Sequence, residues 1–564
     1  MAFYYWVAKV LLRHPVRAIK ALYWQLTGRK LRARNCLRLV VAQSPVAYDV
    51  WIRRVEGGAV PAAPSVGDLK QWACRPCFTL LCLGTRDAAA AFHRSLEDQA
   101  YPHWRLPADV HPQPASVGER LRHAIASAST DYIVPLRPGA ALAQGALFAL
   151  ARAAAEPAQP HVLYGDNDEV DARGHRTLPW LKPRWNAELF LAQDYLSQAC
   201  AIRTDAAREA LQGLVLEPGA EVYSLLLAIS RRADARIEHV PGILVHLSGP
   251  EANLPARVRA AACHLLPHGA IATEGPFDTV RVQWPLPEPE PLVSIIVPTR
   301  DKMHLLRECL SGVLSRTRYR NFEILVVDNG STERETLRYL SLLEGRPGVR
   351  VLRYDRPYNY SAINNFAVHE ARGDYLCLLN NDTSVLDENW LGELMRYAVK
   401  DETGAVGAQL LYDDGCIQHA GVVIGIGDAA GHAHRFQKPG AAGYFARAHA
   451  PHYTSAVTAA CLVVAREKYL AVGGLDEEAF AIAFNDVDLC LKLQQAGWRN
   501  VYAPQAVLVH HESRSRGSDV SPANIERYRR ELRNLRERWN TRGYADPLHH
   551  PLLDRGAETY ILAI

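Results

Sequence analysis

Residues 293–301 read V-S-I-I-V-P-T-R-D, a β-branched run that is closed by a proline. Such a run is typical of a strand that is buried on both faces. Helical periodicity follows over residues 304–314, and two further apolar runs, at 322–327 and 375–379, end in D-N-G-S and N-N-D. Because strands that alternate with helices join through right-handed crossovers, this half of the chain predicts an α/β fold with a mostly parallel sheet.

Polar residues follow each of the three predicted strands, at Pro298–Asp301, Asp328–Ser331 and Asn380–Asp382. Each cluster alone is ordinary turn chemistry, since Asp, Asn, Gly and Ser are the usual turn residues. In open α/β sheets, however, ligands bind outside the carboxyl ends of the strands. Three clusters at one edge therefore predict a ligand site there.

Seven motifs follow one another over residues 291 to about 520: V-S-I-I-V-P-T-R, L-V-V-D-N-G-S, G-D-Y-L-C-L-L-N-N-D, A-C-L-V-V-A-R, V-G-G-L-D-E, F-N-D-V-D-L-C-L and H-H-E-S-R-S-R-G. In order and spacing they resemble the family 2 glycosyltransferases, which have the GT-A fold. The resemblance implies an inverting transfer of a hexosyl or deoxyhexosyl group from a nucleotide-sugar donor. The implied acceptor is a lipid-linked saccharide or polysaccharide of O-antigen or exopolysaccharide synthesis.

The resemblance also assigns a donor site and a divalent metal, Mn²⁺ or Mg²⁺, that neutralises the departing diphosphate. The donor nucleotide is expected against Pro298, Thr299, Arg300, Asp328, Asp374, Asn380 and Asn381. Hard cations bind carboxylate oxygen, so Asp382 is the expected metal ligand. The resemblance implies a histidine as a second ligand, for which His510 is preferred and the adjacent His511 is the alternative. Asn380 replaces the first acidic residue of the family's D-x-D-like motif, which predicts a modest metal affinity. A turn or helix-cap role is the alternative for Asp382, and a turn role for Asp374.

An acceptor hydroxyl needs a general base that takes its proton. The N-D-V-D sequence at 485–488 matches the family's acidic base motif and precedes a helical run over 489–495, so Asp486 is the expected base. Its alternative is a place in the first turn of that helix, where carboxylates offset the helix dipole. Four further residues are expected on acceptor or donor loops: His419, Asp488, His511 and Arg514.

Residues from about 75 to 250 repeat the same pattern weakly. The segment F-T-L-L-C-L-G-T-R-D at 78–87 parallels the strand that ends in Thr299–Asp301, and D-Y-I-V at 131–134 parallels D-Y-L-C at 374–377. Arg137–Gly139 then falls on Asn380–Asp382, so the metal carboxylate is missing. This predicts a degenerate second GT-A-like domain. A bifunctional transferase with both halves active, or a non-catalytic sugar- or nucleotide-binding protein, is the alternative.

The amino-terminal segment is basic and amphipathic, since residues 1–48 contain nine Lys and Arg and no Asp or Glu. Such helices lie on anionic membranes, although docking on the protein itself is the alternative. No apolar run approaches the roughly 20 residues of a spanning helix, and no secretory signal is recognised. The prediction is a cytoplasmic protein, peripheral on the inner face of the plasma membrane. The formal net charge of +4 gives no sign of a nucleic-acid partner.

The predicted architecture is α/β, with two tandem GT-A-like, Rossmann-like domains between a basic helical segment and a carboxy-terminal helical tail. Its hydrophobic content of 48% excludes a disordered chain. The predicted segments are the basic region 1–70, the degenerate domain 71–283, the proline-rich linker 284–291, the catalytic domain 292–520 and the helical extension 521–564.

Overall fold

The structure is a computed structural model that describes Val7, Trp72 and residues 10–56, 74–84, 89–107, 116–249, 253–512, 521–522 and 524–564. The chain divides into two compact units. Unit 1 runs to Val282 and also includes His549–Asp554 and Ile561–Ile564, whereas unit 2 contains Gln283–Leu548 and Arg555–Tyr560. The last residues of the chain therefore alternate between the two units.

Unit 1 is built on an eight-stranded mixed sheet. The strands of unit 1 are β1 (Phe78–Cys82), β2 (Trp104–Arg105), β3 (Tyr132–Leu136), β4 (Ala141–Leu142), β5 (Val162–Val170), β6 (Arg176–Trp180), β7 (Cys200–Arg203), β8 (Ile237–Leu247), β9 (Ile271–Glu274) and β10 (Val280–Gln283). The sheet order is β2-β1-β3-β7-β5-β8-β4 with β6 beside β5, and β9 and β10 form a separate pair. Its apolar strand residues, such as Phe78, Leu80 and Leu163, are fully buried.

The helices of unit 1 begin with an amino-terminal group that precedes the sheet. They are α1 (Pro15–Leu26), α2 (Lys30–Ala42), α3 (Ala47–Trp51), α4 (Ala90–Glu97), α5 (Val117–Ser127), α6 (Ala146–Ala154), α7 (Ala187–Ala192), α8 (Thr204–Ala210), α9 (Glu221–Ser230) and α10 (Leu254–Leu265). A π-helical turn over Ile52–Glu56 extends α3. None of the helices in the described parts of the chain has the length and hydropathy that a bilayer crossing needs.

Unit 2 contains the larger sheet. Its strands are β11 (Val293–Thr299), β12 (Phe322–Asp328), β13 (Val349–Arg353), β14 (Tyr375–Leu379), β15 (Thr383–Val385), β16 (Thr403–Leu411), β17 (Ile417–His419), β18 (Val422–Ile424), β19 (Ala430–His432), β20 (His452–Thr454), β21 (Cys461–Ala465) and β22 (Arg499–His510). The order is β13-β12-β11-β14-β21-β16-β22-β15, with β17 beside β16 and β20 beside β22, and β18 and β19 form a separate hairpin.

Helices follow the strands of unit 2 as the sequence periodicity predicts. They are α11 (Met303–Arg316), α12 (Arg334–Glu344), α13 (Tyr360–Glu370), α14 (Trp390–Ala398), α15 (Arg466–Ala471), α16 (Asn485–Gln495) and α17 (Ile525–Trp539). Strands β11, β12, β13 and β14 run parallel, and β21 is antiparallel to β14 and β16. The side chains of Ile296, Leu325 and Leu376 are fully buried, as expected of strands covered on both faces.

The two sheets share strand order and strand direction. The path β2-β1-β3-β7-β5-β8-β4 of unit 1 corresponds to β12-β11-β14-β21-β16-β22-β15 of unit 2. Both contain a register shift at the same place, between Gly165 and Asp166 in β5 and between Ala408 and Gln409 in β16. The predicted fold class, α/β with two tandem, mostly parallel sheets, is confirmed.

The shared register also aligns single positions. Beyond these register shifts, Asp168 of β5 pairs with His246 in unit 1, and the equivalent Leu411 of β16 pairs with Val509 in unit 2. Ala141 opposes His246 and Ser384 opposes Val509, so Gly139 is equivalent to Asp382 and Leu247 to His510. This is the alignment of Arg137–Gly139 with Asn380–Asp382 that the sequence predicts.

Candidate active site

The three polar clusters of unit 2 lie at the carboxyl ends of neighbouring parallel strands. Thr299 and Asp328 are level with one another in the β11–β12 register. The Asn329 backbone N–H donates to the Thr299 carbonyl oxygen at 2.9 Å, and Asn381 Nδ2 donates to Thr299 Oγ1 at 3.1 Å. The structure thus brings the three clusters together at one edge, with Pro298 half-buried and Arg300 exposed beside them.

Asp328 is a buried carboxylate at the end of β12. Its exposed fraction is 1%, its Oδ1 accepts the Ser331 backbone N–H at 2.9 Å, and its Oδ2 pairs with the Arg353 guanidinium. The neighbouring Asn329 Nδ2 donates to the Tyr354 and Arg356 carbonyl oxygens at 3.0 and 2.7 Å. These contacts join the end of β12 to residues 353–356 at the end of β13.

Asp374 does not lie at this edge. It precedes β14, whereas the ligand edge is at the opposite end of that strand, after Leu379. The Asp374 side chain is exposed, and its carbonyl oxygen accepts the Arg466 backbone N–H at 2.8 Å. The predicted donor-side role of Asp374 is therefore corrected to the turn role that was its alternative.

The predicted metal ligands Asp382 and His510 face each other. The Thr383–His510 pairing of β15 with β22 brings them side by side, and His510 Nε2 lies 3.2 Å from Asp382 Oδ1. The exposed fraction of Asp382 is only 4%, and a buried carboxylate opposite an imidazole nitrogen is a donor set that suits Mn²⁺. Asn380 Nδ2 lies 3.3 Å from the same Nε2 atom. These residues fit a divalent metal.

His511 points away from this pair because successive residues at a strand end face opposite sides. Its Nε2 lies 2.9 Å from Ser384 Oγ and 3.5 Å from Glu308 Oε1, and its Nδ1 bonds the Asp413 carboxylate. Of the two adjacent histidines, His510 is therefore the one that reaches Asp382.

The predicted base, Asp486, is the second residue of α16 and is held by the loop before β21. Asp486 Oδ2 accepts the Ala459 backbone N–H at 3.1 Å, and Oδ1 accepts the Val487 N–H at 2.9 Å. Burial raises the pKa of Asp486 above that of an ordinary carboxyl group, and hydrogen bonds, first that from Ala459, oppose this rise. A raised pKa suits a carboxylate that must take up a proton.

The same loop holds the metal motif. The Asn380 backbone N–H donates to the Ala460 carbonyl oxygen at 3.1 Å. Tyr360 Oη lies 3.1 Å from the Ala459 carbonyl oxygen and 3.2 Å from Asn380 Oδ1. Residues 458–460 therefore join Asp486 to the strand end that carries Asp382. The sequence analysis missed Tyr360, which lies in a helix of ordinary composition.

Two other residues predicted on acceptor or donor loops, Asp488 and His419, do not lie on such loops in the described structure. Asp488 is fully buried and accepts hydrogen bonds from Arg538 Nη1 at 2.9 Å and Trp539 Nε1 at 3.0 Å, so it anchors α17. His419 is also fully buried, its Nδ1 lies 2.9 Å from His432 Nδ1, and burial lowers its pKa to about 3. Neither side chain can face a substrate from a loop, so both predictions are corrected. Arg514 lies outside the described residues.

In unit 1, Leu247 takes the place of His510, and the preceding residue, His246, is bound into an internal network. His246 Nδ1 lies 2.5 Å from Asp168 Oδ1, and Asp168 Oδ2 accepts from Tyr48 Oη at 2.7 Å and from Arg176 Nε at 2.5 Å. Arg176 also pairs with Glu56 at 2.6 Å. With Gly139 at the position of Asp382 and Leu247 at that of His510, unit 1 lacks the opposed carboxylate and imidazole of unit 2.

A second histidine cluster in unit 1 was missed by the sequence analysis because its members are far apart along the chain. Asp166 Oδ1 lies 2.9 Å from His239 Nε2, and Oδ2 lies 2.8 Å from His550 Nε2. The three ligand atoms lie within 4.8 Å of one another, as in a metal site. However, the Leu552 backbone N–H donates to His550 Nδ1 at 3.0 Å, so the proton of neutral His550 is on Nε2. A protonated Nε2 donates to Asp166 and does not bind a metal.

Part of the chain is similar to a known protein family. Residues 294–466 match the model of glycosyl transferase family 2. This match includes the three strand ends and Asp382 but not Asp486 or His510, whose assignment rests on the motifs and the geometry.

Two curated relatives extend over more of the chain. The uncharacterized protein y4gI of Sinorhizobium fredii is 42% identical over 71% of this chain and 46% of its own length. The O-antigen biosynthesis protein RfbC of Myxococcus xanthus is 34% identical over 84% of this chain and 40% of its own length. The chain thus spans less than half the length of either relative.

Among solved structures, a mannosyltransferase from Pyrobaculum calidifontis in complex with GDP-Man and Mn²⁺ is similar to part of the chain. Its sequence identity is 18% and its TM-score 0.34, over 46% of this chain and 67% of that chain.

Proposed function

We propose that the glycosyl transferase family 2 domain in unit 2 transfers a hexosyl or deoxyhexosyl group, with inversion, from a nucleotide-sugar to an acceptor hydroxyl. The acceptor is a lipid-linked saccharide or a polysaccharide in O-antigen or related surface-glycan synthesis, which the similarity to RfbC supports. The observation that carries the proposal is the shared loop 458–460, through which a general base and a metal-binding carboxylate belong to one site.

The donor binds at the carboxyl ends of β11, β12 and β14. There the Asp328 carboxylate accepts hydrogen bonds from the nucleotide, with Thr299 and Asn381 beside it. Asp382 and His510 would hold a Mn²⁺ or Mg²⁺ ion, which would stabilise the charge of the departing diphosphate. Asn380 contributes an amide in place of a carboxylate, so the cation is held with less negative charge than in a D-x-D motif.

Asp486 removes the proton of the acceptor hydroxyl as the oxygen attacks the anomeric carbon. Attack occurs on the face opposite the diphosphate, so one displacement inverts the anomeric centre through a transition state with oxocarbenium character. The raised pKa of Asp486 increases its strength as a base, while the backbone N–H of Ala459 keeps its carboxylate directed at one point.

Unit 1 has the fold of unit 2 without its chemistry. Gly139 takes the place of the metal carboxylate, and Leu247 takes the place of His510. We therefore assign catalysis to unit 2 alone and a supporting role, in acceptor binding or placement, to unit 1.

The amino-terminal helices support a peripheral position on the inner face of the plasma membrane. Along α1, Val16, Ile19, Tyr23 and Leu26 recur at helical spacing and are 59–78% exposed. Exposed Arg13, Arg17 and Lys20 lie among them. Apolar side chains in this spacing insert between lipid headgroups, and the basic side chains bind the anionic lipids of the cytoplasmic leaflet.

The proposal is tested by donor turnover. A panel of nucleotide-sugars is first screened for thermal stabilisation of the protein. Hydrolysis and transfer of the stabilising donor are then measured with and without Mn²⁺ for the wild type, Asp382→Ala and Asp486→Asn. Metal-dependent turnover in the wild type that both variants lose is expected, whereas equal rates in all three proteins would remove the enzymatic function.

A further inference from the structure

The two ring nitrogens of His510 have different surroundings. Nε2 faces Asp382 Oδ1 at 3.2 Å, and Nδ1 lies 2.7 Å from Gln418 Oε1. Which nitrogen holds the proton decides whether this histidine can bind a cation, because a metal binds the nitrogen that has a free lone pair. The orientation of the Gln418 amide therefore matters to the metal site.

The orientation of the Gln418 amide is set by its other contacts. Gln418 Nε2 lies 3.3 Å from the His510 carbonyl oxygen and 3.5 Å from Glu512 Oε2. Both are acceptors, so the NH₂ group must face them and Oε1 must face the ring. Glu512 is itself fixed, since Arg435 Nη2 lies 3.2 Å from both of its carboxylate oxygens.

An amide oxygen opposite Nδ1 requires that Nδ1 donates. In the neutral ring, the Nε2 lone pair then points at Asp382, and Asn380 Nδ2 donates to it at 3.3 Å. Two acceptor atoms, a carboxylate oxygen and an imidazole nitrogen, face each other at this point. A cation between them removes their repulsion, which is the electrostatic condition of a metal site.

We infer that Gln418 is a positioning residue for the metal, which holds the His510 Nδ1–H and so directs the Nε2 lone pair at the cation that Asp382 binds. This inference rests on the proposed function, since it assumes the metal at Asp382. It adds a role for β17 and for Arg435, which no family motif of the sequence contains, and connects them to Glu512 of the H-H-E-S-R-S-R-G motif.

The test measures Mn²⁺ binding to the full-length protein by electron paramagnetic resonance. Gln418→Leu keeps the size of the side chain but removes the acceptor, and it is expected to weaken Mn²⁺ binding about 10- to 100-fold, as losses of such outer ligands do. Gln494→Leu, in α16, is the matched control and should bind Mn²⁺ like the wild type. The double variant Gln418→Glu, Glu512→Gln exchanges the carboxylate and the amide while keeping an acceptor on Nδ1, so it should restore binding to within a few-fold.

A spectroscopic readout separates positioning from a loss of structure. With ¹⁵N-labelled histidine, the signals absent from His510→Ala identify the ring, and the wild type should show Nδ1 protonated and Nε2 unprotonated. Gln418→Leu should lose this fixed tautomer without a change in melting temperature. Unchanged Mn²⁺ affinity or an unchanged tautomer in Gln418→Leu overturns the inference alone, whereas a wild type that binds no Mn²⁺ overturns the metal of the proposed function and the inference with it.

Discussion

Asp486 accepts a hydrogen bond from the backbone N–H of Ala459 at 3.1 Å. The next residue, Ala460, accepts the backbone N–H of Asn380, so one short loop fixes the spacing between the base and the metal motif. A fixed spacing of this kind would hold the acceptor hydroxyl and the donor phosphates at a constant separation, so that the protein need not rearrange before the reaction.

Asp486→Asn should reduce kcat about 10²- to 10⁴-fold, because the amide cannot take up the acceptor proton. Binding of Mn²⁺ and donor should remain, since the Asn side chain still accepts the Ala459 N–H. In the wild type, the rate should rise with pH through the raised pKa of Asp486, as the base acts only when it is ionised. Asp428→Asn, an exposed carboxylate of unit 2, should match the wild type, and an Asp486→Asn rate equal to it would exclude this base.

The strands and helices around the site could be predicted from local patterns. The strand Val293–Thr299 and the helix α17 could be predicted because an apolar run and a helical periodicity are visible within short segments of the sequence. Asp374 and Asp488 could not be placed, because a motif does not show which end of β14 is the ligand edge or which helix packs on α16. The choice of His510 over His511 required the pairing of β15 with β22, and Gln418 required a strand that is distant in sequence.

Asn380→Asp should tighten Mn²⁺ binding several-fold. It restores a second carboxylate beside Asp382, and hard cations gain affinity with each added negative oxygen ligand. Asp382→Ala should abolish binding at this site. Asn389→Asp adds the same charge at the start of α14 and is expected to leave the affinity unchanged. Titration by electron paramagnetic resonance measures all three, and weaker binding by Asn380→Asp would contradict the assignment of this strand end.

Acid should destabilise unit 2 through its buried histidines. Burial lowers the pKa of His419 and of His434 to about 3. Between pH 6.5 and 3 the unfolded chain therefore binds protons that the folded chain does not. The free energy of unfolding decreases as the pH is lowered through this range, by up to about 1.4 kcal/mol per pH unit for each histidine. Urea midpoints at several pH values measure this fall. His434→Gln keeps an acceptor for the Tyr444 N–H but does not titrate, so its pH slope should be shallower; an unchanged slope would contradict the account.

Asp166 should be a stability residue of unit 1 rather than a metal ligand. Its carboxylate accepts from His239 and His550, and the backbone N–H groups of Lys182 and Gly242 donate to it at 2.8 and 2.7 Å. His550→Ala removes one charged hydrogen bond in a fully buried site and should cost about 2 kcal/mol or more. His175→Ala, at an exposed position, should cost little.

The pH dependence of this cluster has a defined sign. Burial by itself raises the pKa of Asp166, but its interactions with His550 and His239 outweigh this and hold the pKa well below its usual value. The stabilisation is therefore complete above the unfolded carboxyl pKa of about 4 and is lost as the pH falls below it. Chemical unfolding of the metal-chelated protein at several pH values measures this dependence. If chelation alone lowered the stability, a metal rather than hydrogen bonding would hold the cluster together.

Membrane binding should depend on the apolar side of α1. The Ile19 side chain is 66% exposed and would enter the headgroup region. Ile19→Glu places a negative charge there, which is costly to insert and is repelled by anionic lipid. Sedimentation with phosphatidylglycerol vesicles should therefore retain the wild type and release the variant, and salt should weaken wild-type binding because the basic residues act through screened charge. Leu342→Glu adds the same charge at a 70% exposed position of α12 and should sediment with vesicles like the wild type. If Ile19→Glu stays with the vesicles, or if the wild type binds uncharged phosphatidylcholine equally well, α1 is not the membrane contact.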